Sequence, residues 1–168
     1  MKMTVSDAIT MVKTIQRDIR LLLKDEENNS MFNAANIENA EELRPAYDFA
    51  ETQKKLCEYE EKIRKIKHAV NVFNTTTVLP GFDKTVDEML VYMPQLTERV
   101  SKLREMYFAP ERERVEAYNK ATTYIDYRYT NYNKEQVTEE YKKLNNYLTR
   151  AQKALDKLNL TEPFEVDI

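Results

Sequence analysis

The sequence predicts a mainly α protein: antiparallel helical hairpins or coiled coil, with a small accessory β-sheet of three or four short strands. Three observations predict it. Apolar residues recur at alternating three- and four-residue intervals along four separate stretches, the pattern of helices with one buried face. Charged residues make up 33% of the chain with both signs interleaved, as on solvated helix surfaces. The chain also holds a single glycine, Gly81, where an average protein has roughly 7%. A length of 168 residues fits one helical domain over residues 1–168.

The first seam runs through Val5, Ala8, Val12, Ile15, Ile19 and Leu22 and predicts a helix within residues 1–24. Asp25 to Glu42 then holds six acidic residues, a run of asparagines and no basic side chain. It is expected to be a connection, with a short strand near Ser30 to Ala35. Over residues 43–73 the seam resumes as Phe49, Leu56, Ile63 and Val70 in one set, with Thr52, Tyr59, Ile66 and Phe73 in the other. This helix would be about 45 Å long, and it pairs with the first as an antiparallel hairpin.

Asn74 to Asp83, NTTTVLPGFD, stops that helix. Three threonines and a valine favour extended backbone, and Pro80 with Gly81 makes a turn; the segment is either a binding loop or a structural corner. The third seam, within residues 84–108, uses Val86, Met89, Met93, Leu96, Val100, Leu103 and Tyr107, with Pro94 expected to kink or divide it. Pro110 marks a break before a polar helical turn or two through Glu111 to Lys120. Ile125, Tyr127 and Tyr129 alternate with Asp126, Arg128 and Thr130, the period of a half-buried strand. Its tyrosines are expected to face inward and Arg128 outward. Asn133 with Gln136 reads as a helix start, and Val137, Tyr141, Leu144, Leu148, Ala151, Leu155 and Leu158 give a fourth seam within residues 134–159, pairing with the third. The tail FEVDI alternates again. Extended pieces near residues 75–79, 122–130 and 164–168 are expected to share one small sheet.

The same residues exclude several chemistries. Phosphate-cradling loops need at least two glycines in close order, and one glycine cannot form them. With one histidine, His68, and one cysteine, Cys57, no zinc site built mainly from imidazole and thiolate can be assembled. No disulfide can form within the chain, and no serine stands in a triad pattern with His68. Asp7 interrupts the N-terminal stretch where an export signal would be apolar, so a cytoplasmic location is expected. The longest uncharged run, His68 to Phe82, is too short and polar to span a bilayer. No cofactor, metal or catalytic residue is predicted, and the chain reads as non-enzymatic.

Two patterns remain as candidate binding features. Tyr124, Tyr127, Arg128 and Tyr129 offer rings and a cation to a single-stranded nucleic acid, but Asp126 lies among them, and packing of the rings is the preferred reading. Lys62, Arg64, Lys65 and Lys67 form a basic run that suits RNA or an anionic membrane. Glu58, Glu60 and Glu61 precede it directly, and cations are at home near a helix C-terminus. Neither nucleic acid nor membrane is the expected partner. Asn28, Asn74 and Asn159 each begin an N-x-Ser/Thr triplet, which matters only in a secreted chain.

The stretches YDFAETQKKL, KIRKIKHAVNVFNTTTVLPGFDKTVDEMLVYMPQL, IDYRYTNYN and QKALDKLN resemble those of the septicolysin-like group of bacterial helical proteins, the Asn74 to Asp83 segment most specifically. The resemblance covers much of the chain from Tyr47 to Asn159. It implies a coiled-coil-rich fold with a few strands and self-association, brings no catalytic residues, and by its name implies membrane activity. From the seams themselves the expected role is a homo-oligomeric interaction or scaffold protein, with an unknown protein partner as a further option. Leu56, Ile63, Ile66, Val70, Leu144, Leu148 and Leu155 form the core and oligomer seam.

Overall fold

The computed structural model describes residues 1–115 and 125–168. It is mainly α with two small antiparallel two-stranded sheets. The order is β1 (Lys2–Thr4), α1 (Val5–Asn29), α2 (Ala40–Leu43), α3 (Phe49–Thr76), α4 (Val86–Phe108), β2 (Arg112–Val115), β3 (Asp126–Tyr129), α5 (Lys134–Thr161) and β4 (Pro163–Glu165). The chain forms two compact units, Met1–Thr77 with Lys157–Ile168, and Val78–Asp156.

In the first unit α1 and α3 pack face to face. Thr4 caps α1 with a reciprocal box: its hydroxyl accepts from the Asp7 N–H while the Asp7 carboxylate accepts from the Thr4 N–H. Those two Thr4 donors, the hydroxyl first, hold the Asp7 carboxyl below its ordinary value. Asp48 caps α3 by accepting from the Glu51 N–H. Met3, Ala8, Ile15, Ile66 and Val166 are buried together, with Tyr59, Ile63, Val70 and Phe164 packed around them. At the far end of α1, Glu26 accepts from the hydroxyl of Tyr47 at 2.5 Å and from Gln53 at 3.4 Å. The two helices are therefore antiparallel. Strand β1 pairs with β4, Met3 opposite Phe164, and the Phe164 ring lies 5.1 Å from that of Phe73.

The second unit opens on a corner. Val78 bridges to Thr85, the Leu79 N–H donates to the Lys84 carbonyl, and Gly81 takes φ 83°, a conformation that side chains with a Cβ rarely adopt. Leu79 is fully buried at this corner. Thr85 and Glu88 then repeat the capping box for α4. Leu96, Val100 and Leu144 form a buried cluster flanked by Tyr92, Leu103, Tyr141, Tyr147 and Leu148, and Tyr107 stacks on Tyr141 at 5.3 Å. Pro94 does not divide α4, which continues through it to Phe108.

Four expectations are corrected. The strands do not share one sheet: β4 pairs with β1 and β3 with β2. Residues 75–76 belong to α3, and of the predicted 75–79 strand only the single bridge at Val78 exists. No strand forms over residues 30–35, which follow α1 as bend and coil. Arg112–Val115 is a strand rather than a helical turn, because its backbone groups pair with Asp126–Tyr129, a partner that local propensity cannot reveal. Residues 116–120 of the predicted turn and 122–124 of the predicted strand lie outside the described residues.

Candidate functional site

Two surfaces stand out, one in each unit. The first is an open groove of about 390 Å³ between α1 and α3, floored by Ala8, Val12, Ile66 and Val70 and rimmed by Lys13, Gln16, Lys67 and Asn71. The seams create it. Ala8 and Ile66 are buried where the helices touch, while Ile9, one position round the helix, turns away from that line of contact and is 48% exposed. Gln16 and Leu23 follow Ile9 at seven-residue steps on the same stripe, and Leu23 is exposed.

The second surface is the β2–β3 ribbon. Arg112 stands opposite Tyr129, Glu113 opposite Arg128, Arg114 opposite Tyr127 and Val115 opposite Asp126. Opposed residues share a face and successive residues alternate, so the register sorts the side chains. Arg112, Arg114, Tyr127 and Tyr129 occupy one face, and Glu113, Val115, Asp126 and Arg128 the other. The Arg112 guanidinium lies over the Tyr127 ring, 4.6 Å from its centre, in cation–π geometry. The tyrosine rings are 6.4 Å apart.

The expected burial of Tyr127 and Tyr129 is overturned: they are 40% and 63% exposed. Every residue of both strands is exposed, since a ribbon of two short strands brings no second layer of its own to cover either face. The expected placement of Arg128 on the opposite side from the two tyrosines agrees with the register. Tyr124, the other aromatic of this candidate site, lies outside the described residues.

The remaining predicted residues fall into two groups. Ile66, Leu144 and Leu155 are buried within the chain, and Leu56, Ile63, Val70 and Leu148 are half-buried. Lys62, Arg64, Lys65 and Lys67 are all exposed on α3. Lys65 pairs with Glu61 at 3.2 Å and Arg64 with Glu60 at 4.0 Å, whereas Lys67 stands at the groove rim. His68 is exposed, in a shallow depression of about 370 Å³ shared with Phe73, Phe164 and Glu165, and Cys57 is exposed. Among the described residues no group of three or more metal-binding side chains gathers, and no helix is long and apolar enough to cross a membrane.

Sequence reasoning missed Lys134. Its ammonium donates to the carbonyls of Met106 at 3.2 Å, Tyr107 at 2.9 Å and Ala109, closing the C-terminus of α4. The Tyr132 hydroxyl joins it on the Met106 carbonyl at 2.8 Å. A signal was present: a lysine as the first residue of a helix sits at the positive end of that helix's dipole, where only a partner elsewhere makes it favourable.

The architecture defines a class, a mainly α protein of helical hairpins carrying short β-ribbons. No protein-family model matches the sequence, and no curated protein matches it. It is similar in fold to the crystal structure of a functionally unknown conserved protein from Corynebacterium diphtheriae, with a TM-score of 0.56 and 13% identity over 98% of this chain and 100% of that chain.

Proposed function

We propose that the chain is a non-enzymatic interaction protein that self-associates as a coiled-coil assembly through the open face of its α1–α3 hairpin. One observation carries the reading: the groove between α1 and α3 is floored by Ala8, Val12, Ile66 and Val70, and along the same face of α1 Ile9 is 48% and Leu23 44% exposed, large apolar side chains on one helix stripe that a second helix would cover.

A second copy is the occupant that the charge pattern fits, because the first unit carries both halves of a complementary pair. The hairpin tip, Asp25 to Glu42, is acidic without a cation in its sequence, while Lys13, Arg20, Lys62 and Lys67 lie along the helices beside the internally paired Arg17, Arg64 and Lys65. Two hairpins packed antiparallel bring each tip towards the other's basic stretch while the two Ile9 stripes meet. The septicolysin-like resemblance, which implies self-association, points the same way.

Light scattering across a dilution series tests this. A mass of at least two chains at micromolar concentration is expected, and Ile9→Asp should bring it back to 20.0 kDa with the chain still folded, its melting temperature lowered towards that of the wild type at high dilution. A wild-type mass of 20.0 kDa at every concentration would refute the proposal.

A further inference from the structure

The exposed face of the β2–β3 ribbon carries a ligand-binding inference that does not depend on self-association. Four side chains share that face: two guanidiniums, Arg112 and Arg114, and two phenol rings, Tyr127 and Tyr129. The carboxylates within the two strands, Glu113 and Asp126, stand on the other face by the strand period. An alternating run that is nearly neutral in the sequence is thus cationic and aromatic on one side. A second copy of the same face is a weaker occupant than a polyanion, because pairing would gather four guanidiniums on one patch with no carboxylate among the residues of that face of the two strands. The fitting partner is polyanionic and presents flat π-surfaces at intervals.

We propose that this face binds single-stranded nucleic acid, with Tyr127 and Tyr129 stacking bases and Arg112 and Arg114 holding phosphates. The rings meet the requirement that buried rings would fail, since bases can reach them. Their centres, 6.4 Å apart and tilted by 51° to one another, are well beyond the roughly 3.4 Å rise of stacked bases. Each ring is therefore a separate platform for an unstacked base, which a duplex does not offer. The Arg112 guanidinium lies over the Tyr127 ring, so a base stacks there on the guanidinium plane or displaces it towards a phosphate, while Tyr129, 63% exposed, is the more open ring.

The test measures fluorescence anisotropy of labelled oligothymidylate and oligouridylate of about 15 nucleotides, a length that covers one such site, with a duplex of equal length as a third probe. Both single strands should bind in a salt-dependent way and the duplex more weakly; tighter uridylate binding would identify RNA as the natural form. Tyr127→Leu and Tyr129→Leu should each weaken binding about 5- to 150-fold, the range for losing one stacked base, whereas Tyr127→Phe, which keeps the ring, should bind as wild type. Arg112→Ala should flatten the log–log salt dependence by about 0.7 for each phosphate that the protein no longer neutralises. Arg128→Ala, on the opposite face, should change affinity by no more than about twofold. The proposal is overturned if the wild type binds neither strand at low salt, if the duplex binds as well as the single strands, or if Tyr127→Leu binds as well as Tyr127→Phe. It is equally overturned if Arg128→Ala weakens binding as much as Arg112→Ala, or if Tyr127→Leu lowers the light-scattering mass and leaves oligonucleotide affinity untouched.

Discussion

Replacing Lys134 with methionine should cost the second unit about 2 kcal/mol, because helix α4 ends in a way it cannot repair by itself. The Glu105 carbonyl is satisfied by the Ala109 N–H at 3.0 Å. The next carbonyl, that of Met106, would accept from the residue four places on, but that residue is Pro110 and has no N–H. Proline also drives the residue before it out of the helical region, and Ala109 accordingly takes φ −59°, ψ 135°. The last carbonyls are left to partners from outside the helix. Lys134 supplies three donors to them and a positive charge at the negative end of the α4 dipole.

A hydrogen bond from a charged group is worth about 1.5–3 kcal/mol net. The site is only partly buried, so water can replace some donors after substitution, and the lower half of that range is the fitting figure. Methionine keeps the apolar stem and removes only donors and charge. Urea unfolding should show a lowered midpoint with an unchanged slope, the sign of a pure stability loss. Tyr132→Phe alone should cost about 1 kcal/mol as a neutral hydrogen bond. The double variant should cost more than the sum, since the two donors share the Met106 carbonyl and removing both leaves it bare. A Lys134→Met protein within about 0.5 kcal/mol of wild type, the scatter of ordinary surface changes, would refute this account of the helix end.

Ile66→Ala should destabilise the first unit by about 2–5 kcal/mol as a cavity-forming change, because Ile66 is 0% exposed at the centre of the α1–α3 core; a loss below this range in calorimetry would misplace the seam. The Tyr47 hydroxyl, pushed up to about 12 by its hydrogen bond to the Glu26 carboxylate, should ionise above the ordinary tyrosine value in a titration that resolves its own ring signal, and Glu26→Ala should return it towards that value. Since the folded value lies above the unfolded one, this link supports the hairpin fully below pH ~10 and is lost as pH rises towards 12. Tyrosinate formation at Tyr47 near its ordinary value would contradict the contact.

The four long helices were legible because their buried faces repeat in the sequence, whereas the short α2 lies mostly in the expected connection and α3 begins at Phe49 rather than at residue 43. Val5, Ala8 and Ile15 name the buried face of α1 and are buried. Asn133, read as a helix start, makes that of α5, its Oδ1 accepting from the N–H groups of Glu135 and Gln136, whereas the Thr85–Glu88 box at the start of α4 was not read from the sequence. The strands were legible only in part. Alternation marked Tyr127 and Phe164, but three residues such as Lys2–Thr4 are too few for a period to show, and Arg112–Val115, with three charged residues in four, reads as a polar turn until its partner strand is known. The helix end closed by Lys134 depends on a carbonyl left bare by Pro110, residues far apart in sequence that only the fold brings into one place.

What periodicity cannot supply is the cover. A repeat of two or of 3.6 says which side chains share a face, and both repeats did so correctly where Tyr127 lies with Tyr129 and Ile66 lies near Val70. Whether that face is buried depends on a second element, and the two surfaces differ on this point. The α1 seam finds α3 and is buried along the line of contact, but two helices cover each other on one side only, so Ile9 and Leu23 stay in water. The residues of both ribbon strands are exposed. A packing aromatic and a stacking aromatic have the same sequence signature, alternation with charges between. The choice between them at Tyr127 rests on exposure, and exposure makes the ring available to a base or to a second chain. The charges favour the base, since pairing two such faces would gather four guanidiniums on one patch, whereas Arg112 and Arg114 attract phosphate. The Ile9 stripe, with the uncharged Gln16 between Ile9 and Leu23, has no such bias.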